Sequence, residues 1–487
     1  MSGRRDAARA APPQRAASRG ELLLKGGRIV DPRAGIDARL DLRLEDGCVA
    51  EVGERLAARE HARVIDCSGK VVVPGLIDAH VHLREPGRED EETIESGSLA
   101  ALAGGFTSVL AMPNTDPVTD SQAAVGFIRA QAARAGHAHV YPIAAATRGS
   151  LGSEMSEIGD LVAAGAVAIT DDGRPIADAG VMRRILEYSR IFDVPVVQHC
   201  EDLALTDGGV MHEGRISTRL GLKGIPAASE EVVVARDLIL AELTGAHYHV
   251  AHLSTARSAE LVAEAKRRGV RVTAEVTPHH LVLTEEAADG YDTQAKMNPP
   301  LRSGRDVEAL REALAAGTLD IVATDHAPHH YDEKEREFDF APFGILGLET
   351  AFGLLHTELV LAGRIGLADL IERMSPAPAR IFHLAGGGLE VGQVADVTVL
   401  DLEREWTVEP EAFLSKSRNT PFGGRQLVGR AWMTIVDGQV AWRLDRDPAV
   451  ADEPRHAASA AGRRSATARQ GKVRSPASAH AREGAAR

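Results

Sequence analysis

Short apolar runs, each ending in a histidine or an acid, recur along the middle of the chain. Val71-Val72-Val73 leads through Pro74-Gly75 to His80 and His82. Ala166 to Thr170 ends at Asp171-Asp172, Pro195 to Gln198 at His199, Tyr248 to Ala251 at His252, and Leu319 to Thr324 at Asp325. Continuous apolar runs, rather than alternating ones, are what parallel strands covered on both faces require. Further strand-like runs lie at 106–112, 140–145 and 270–276. Helical periodicity falls between them at 121–135, 160–164, 179–190, 229–244 and 258–268. This βα alternation over residues 74–384, roughly eight units, predicts a closed (β/α)8 TIM barrel in the α/β class.

Both flanks read as β. Residues 20–73 carry strand patterns at 22–24, 27–31, 48–53 and 71–73, and residues 385–446 carry them at 395–401 and 433–440. Together they predict one small β-sandwich domain built from both chain ends. Residues 1–19 and 447–487 are rich in Ala, Arg and Ser, poor in large apolar residues and basic, as disordered extensions are. The first of them lacks the apolar core of a secretory signal. No stretch reaches the ~20 apolar residues of a membrane span.

The composition narrows the function. A formal charge of -14 argues against a nucleic-acid partner. With 4% aromatic residues, the core must be built of Ala, Val, Leu and Ile. Cys48, Cys67 and Cys200 form no CxxC pair, which fits a reducing cytoplasm. Cys200 follows His199, and adjacent strand residues face opposite ways, so it reads as packing.

His80, His82, Asp172, His199, His252 and Asp325 all fall where a barrel enzyme carries its functional residues, the C-terminal strand ends. A lone HxH is readily a solvated strand face; the repeated context favours a metal site. Imidazole and carboxylate ligands suit zinc, with cobalt, manganese or iron as substitutes. Six groups exceed the needs of one tetrahedral ion and fit two ions sharing a bridging carboxylate and hydroxide. A metal-bound hydroxide is a nucleophile at neutral pH, and Asp325 is placed to ligate and to move its proton. By composition Asp171 and Asp172 both qualify as the shared acid.

Four motifs add a resemblance: Asp78-Ala79-His80-Val81-His82-Leu83-Arg84-Glu85-Pro86-Gly87, Ala111-Met112-Pro113-Asn114-Thr115, Met297-Asn298-Pro299-Pro300-Leu301-Arg302 and Ala323-Thr324-Asp325-His326-Ala327-Pro328-His329. In kind and order they resemble the amidohydrolase superfamily, and more narrowly the class I dihydroorotases, across residues 21–445. The resemblance implies a zinc enzyme with one or two Zn2+ ions per subunit. Its reaction would be the reversible cyclisation of N-carbamoyl-L-aspartate to (S)-dihydroorotate plus water, in de novo pyrimidine biosynthesis. It implies a cytoplasmic homodimer. His80 and His82 would hold one ion, His199 and His252 the other. An aspartate would stand in the bridging place that a carboxylated lysine fills in related enzymes; no lysine lies between Leu161 and Pro175, and spacing from His80 selects Asp172. Asp325 would be the general acid/base. Arg84 would hold the substrate carboxylate with Asn114, Asn298 and His329, and the backbone of Phe343 and Gly344 would contact the ring amide. The charged loop 329–344 would otherwise be solvated. His279 and His280 are not expected as ligands, and His137, His139, His212, His247 and His249 are expected at the surface or in packing.

Two alternatives remain. Dihydropyrimidinase, hydantoinase and allantoinase share the histidine order, but generally carry the bridging lysine and act on rings without the carboxylate. A non-catalytic scaffold for aspartate transcarbamoylase would have lost ligands, and every ligand position is filled here. An active enzyme can also associate with that transcarbamoylase.

Overall fold

The computed structural model describes residues 20–444. The extensions expected over 1–19 and 447–487 lie outside the described residues.

Parallel pairing joins the strands Leu76–Val81, Phe106–Ala111 and His139–Pro142, the last continuing as Ala144–Ala145. From there the ladder runs through Ile169–Thr170, Val196–Gln198, Tyr248–Val250, Val272–Val276 and Ile321–Val322. A parallel bridge between Val81 and His326, with His82 N donating to His326 O at 2.8 Å, returns the eighth strand to the first. The parallel sheet is thus a closed barrel. Leu76–Val81 and Phe106–Ala111 are buried at every position, which is why they read as continuous apolar runs.

Alternate strand positions fill the barrel: Ile77, Ala79, Leu110, Tyr141, Val197, Ala251, Ile321 and Ala323 form one cluster, closed by Ala377, Ile381 and Phe382. The opposite positions pack against the helices in a second cluster. Helices between the strands start and stop on local signals. Ser121 caps Gln122–Ala135 through the Ala124 amide, and Gly136 ends it in the left-handed region. Thr255 caps Ala256–Arg267 in the same way.

The chain ends share one sheet. Its order is Gln439–Arg443, Gln426–Val436, Val397–Thr407, Val71–Pro74, Arg28–Asp31, Ile36–Arg39. A second sheet holds Cys48–Gly53, Asp41–Glu45, Glu21–Lys25 and Arg63–Asp66. Leu24, Ile29, Leu42, Val72, Val397 and Ile435 pack between them. Strand Gln426–Val436 begins well before the predicted 433–440 segment, because Arg430 and Gly429 interrupt its apolar pattern. No helix among the described residues is long and apolar enough to cross a membrane.

Candidate metal centre and substrate cavity

The C-terminal ends of five barrel strands bring His80, His82, Asp172, His199, His252 and Asp325 into one buried cluster. The first strand carries a register shift between Asp78 and Val81. Strict alternation from Ile77 and Ala79 would turn His80 out of the barrel; the irregularity turns it in. Arg84, His252 and Asp325 have φ of 59°, 28° and 50°. Such left-handed backbone at non-glycine residues costs on the order of 1–3 kcal/mol each and is held by its surroundings.

Asp172 lies at the centre. Its Oδ2 is 3.3 Å from His80 Nε2 and 3.6 Å from His82 Nε2. Its Oδ1 is 3.5 Å from His252 Nε2 and 3.7 Å from His199 Nδ1. One carboxylate oxygen thus faces each histidine pair. Asp325 Oδ1 joins the first pair, 3.0 Å from His82 Nε2 and 3.4 Å from His80 Nε2. Two ligands on a tetrahedral zinc with bonds of about 2.1 Å sit about 3.4 Å apart. Asp171 turns the other way and accepts from the amide and hydroxyl of Thr147.

Outer hydrogen bonds fix which ring nitrogens face inward. His80 Nδ1 donates to Glu275 Oε1 at 2.6 Å, His82 Nδ1 to Asn114 Oδ1 at 2.8 Å, and His199 Nε2 to Glu201 Oε2 at 3.0 Å. Each ring then presents a bare lone pair to the cluster. Ring nitrogens and carboxylate oxygens converge on one point, and His80 Nε2 and Asp172 Oδ1 are buried without a hydrogen-bond partner. That donor set fits a divalent cation. The electrostatics agree in sign. Burial works against charge on His80, yet Asp172, Glu275 and Asp325 raise its pKa well above the usual value. Burial would likewise raise Asp172 and Asp325, but the neighbouring histidines hold both carboxyls below the usual range. The site draws positive charge.

Glu275 and Glu201 were not singled out from sequence. Glu275 sits inside Val272–Val276, where it also accepts from His249 Nε2 at 3.2 Å and the His252 amide at 3.1 Å. An acid inside an apolar strand was the available signal. Glu201, two residues after His199, also accepts from Asn298 Nδ2 at 3.0 Å and Thr206 Oγ1 at 2.7 Å. Burial opposes its charge, but His199, Thr206 and Asn298 hold its pKa at about 2. His249 is buried against Glu275 and Thr273. His280 bonds Thr277 and the Pro299 carbonyl, away from the cluster.

A cavity of about 360 Å³ is lined by Arg84, Arg88, Asn114, His329, Glu333, Arg336, Phe340 and Pro342, among others. Arg84, Asn114 and His329 therefore line one cavity; Asn298, Phe343 and Gly344 are not part of its lining. Arg84 is held by the Pro328 carbonyl at 3.1 Å and Glu91 at 3.0 Å. The charged loop after His329 reaches the cavity through Glu333, Arg336 and Phe340. Gly344, with φ of 132°, packs so closely that a Cβ would lie 2.7 Å from that of Ala327. Its N–H donates to Lys296 O at 3.0 Å, and its carbonyl accepts from Lys334 and Asn419. The close approach at this glycine is made to Ala327 and His329.

Comparison with known proteins places this geometry. Two solved hydantoinases (dihydropyrimidinases) have the same fold. The L-hydantoinase of Arthrobacter aurescens gives a TM-score of 0.77 at 27% identity, covering 86% of this chain and 95% of that one. The D-hydantoinase of a Thermus species gives 0.76 at 28%, covering 87% and 95%. Fold and site define a TIM-barrel amidohydrolase, a hydrolase of cyclic amides. The family model described as Dihydro-orotase-like matches residues 69–258. The dihydroorotase of Pelotomaculum thermopropionicum is 56% identical over 420 residues, 86% of this chain and 98% of that protein. That of Syntrophotalea carbinolica is 54% identical over 424 residues, 87% and 99%. The chain belongs to the dihydroorotase family.

Proposed function

We propose that the protein catalyses the reversible cyclisation of N-carbamoyl-L-aspartate to (S)-dihydroorotate in pyrimidine synthesis. The observation that carries this reading is the adjacency of two sites: the His/Asp cluster of His80, His82, Asp172, His199, His252 and Asp325, and a cavity lined by the half-buried Arg84 guanidinium with Asn114 and His329. His80, His82 and Asp325 would hold one zinc ion, and His199 and His252 the other, with Asp172 shared. When bound, zinc supplies Lewis acidity and a nucleophile at neutral pH. Asp325 moves the proton between attacking and leaving groups. Arg84 pairs with the substrate carboxylate, which an uncharged hydantoin or dihydrouracil ring lacks. Asn114 has a second part, since it also orients His82. Asn298 acts on Glu201 and, from there, on substrate.

The reading extends to a barrel domain over 74–384 and a sandwich from 20–73 and 385–446. It also includes a homodimer in the cytoplasm, consistent with the free thiols of Cys48, Cys67 and Cys200. A transcarbamoylase complex is tested by co-purification. The deciding assay is ring opening of L-dihydroorotate by metal-replete protein, with dihydrouracil, hydantoin and allantoin in parallel. Turnover of dihydroorotate alone, abolished by a chelator, is expected. Turnover of only the uncharged rings would overturn the substrate assignment.

A further inference from the structure

The loop after His329 returns to the cavity as a strap over residues 338–344, and two lysines beneath it bind carbonyl oxygens. Lys334 is 2% exposed. Its Nζ donates to Pro342 O at 2.9 Å, Gly344 O at 3.0 Å and Lys296 O at 3.2 Å. An ammonium has three N–H groups, so each is engaged. Lys296 Nζ donates to Phe338 O at 2.6 Å and Asp339 O at 3.2 Å, and lies 4.6 Å from the Phe343 ring centroid. These partners are backbone carbonyls rather than carboxylates. Burying an ammonium in this way is unfavourable, and an apolar chain of similar length would fill the space without that cost. The hydrogen bonds from these lysines to strap carbonyls, made where an apolar chain would pack, are therefore what requires a role.

The other face of the strap supplies one. Phe340 and Pro342 line the cavity, and Phe343 O lies 2.8 Å from Nε2 of His329, which lines the same cavity as Arg84. We propose that Lys334 is a positioning residue for substrate. Through the Pro342 and Gly344 carbonyls it sets the strap, and through Phe343 it sets His329. The identity of the substrate rests on the dihydroorotase reading; the clasp does not.

The test compares Lys334→Met, Lys334→Gln and Lys296→Met with the wild type. Readouts are kcat and KM for dihydroorotate, bound metal, and amide hydrogen exchange over 338–344. Lys334→Met is expected to raise KM about tenfold or more, with kcat within about threefold, metal content unchanged and faster strap exchange. Lys334→Gln, which keeps donors, should restore part of the KM, and Lys296→Met should give a smaller rise. Should Lys334→Met not fold, the other two variants decide in the same way. A folded variant with unchanged KM overturns the proposal, as does a loss of kcat that tracks lost metal. If the wild type opens no ring, the functional reading falls. The clasp is then judged on exchange alone, and unchanged strap exchange overturns it.

Discussion

Among the described residues the barrel carries His/Asp groups at both ends, and the one at the C-terminal strand ends has the build of a metal centre. At the C-terminal end, four histidines and two aspartates converge from five strands, and Glu275, Asn114 and Glu201 hold three of the rings from behind. At the other end, His139 begins the third strand, and its Nε2 lies 3.2 Å from Asp396 and 3.5 Å from Asp437 of the sandwich. There Asp396 Oδ1 accepts the Asp437 amide at 3.0 Å. That trio is one imidazole beside two acids, a polar contact between a barrel strand and the sandwich. A metal centre is distinguished less by its residue types than by how many lone pairs face one point and what fixes them there.

The contrast can be broken most severely at Asp325. Asp325→Ala should lower kcat by about 10²–10⁴-fold, as loss of a general acid/base does, with metal retained at least between His199 and His252; kinetics beside metal analysis checks it. Next, Glu275→Gln should weaken metal affinity by about 10–100-fold, since His80 loses its charged acceptor. Competition with a chromogenic chelator measures this, and equal affinity would deny Glu275 its part.

A smaller effect concerns acid. Glu201 has a folded pKa of about 2, below its unfolded value. Its stabilisation is complete above a pH of about 4.3 and is lost as pH falls through about 2. In metal-free protein, the Tm gap between wild type and Glu201→Gln should shrink over that window. Smallest for catalysis is His139→Asn, expected to leave kcat and bound metal within about twofold while lowering Tm by a few degrees. A collapse of activity there would dissolve the contrast.

Most of the His/Asp cluster is legible because strand ends in a buried parallel sheet announce themselves: an apolar run, then one polar residue. Composition leaves Asp171 and Asp172 open and the family resemblance favours Asp172; the structure places Asp172 among the rings. The supporting shell was less visible. Glu275 looked like a polar interruption of a strand, and His249 like packing, because their bonds to His80 and to each other join positions distant in sequence. Helix Ile94–Gly104 escaped notice because its Gly, Ser and Ala residues are buried on most sides and show no amphipathic stripe. The resemblance expects the Gly344 backbone to meet the substrate ring; in the structure the space this glycine leaves is taken by Ala327 and His329.

The most direct test is anomalous scattering at the zinc edge from crystals of zinc-loaded protein. The account predicts one or two peaks among His80, His82, Asp172, His199, His252 and Asp325, and none beside His139. A peak at His139, Asp396 and Asp437 with none at the strand ends would contradict it.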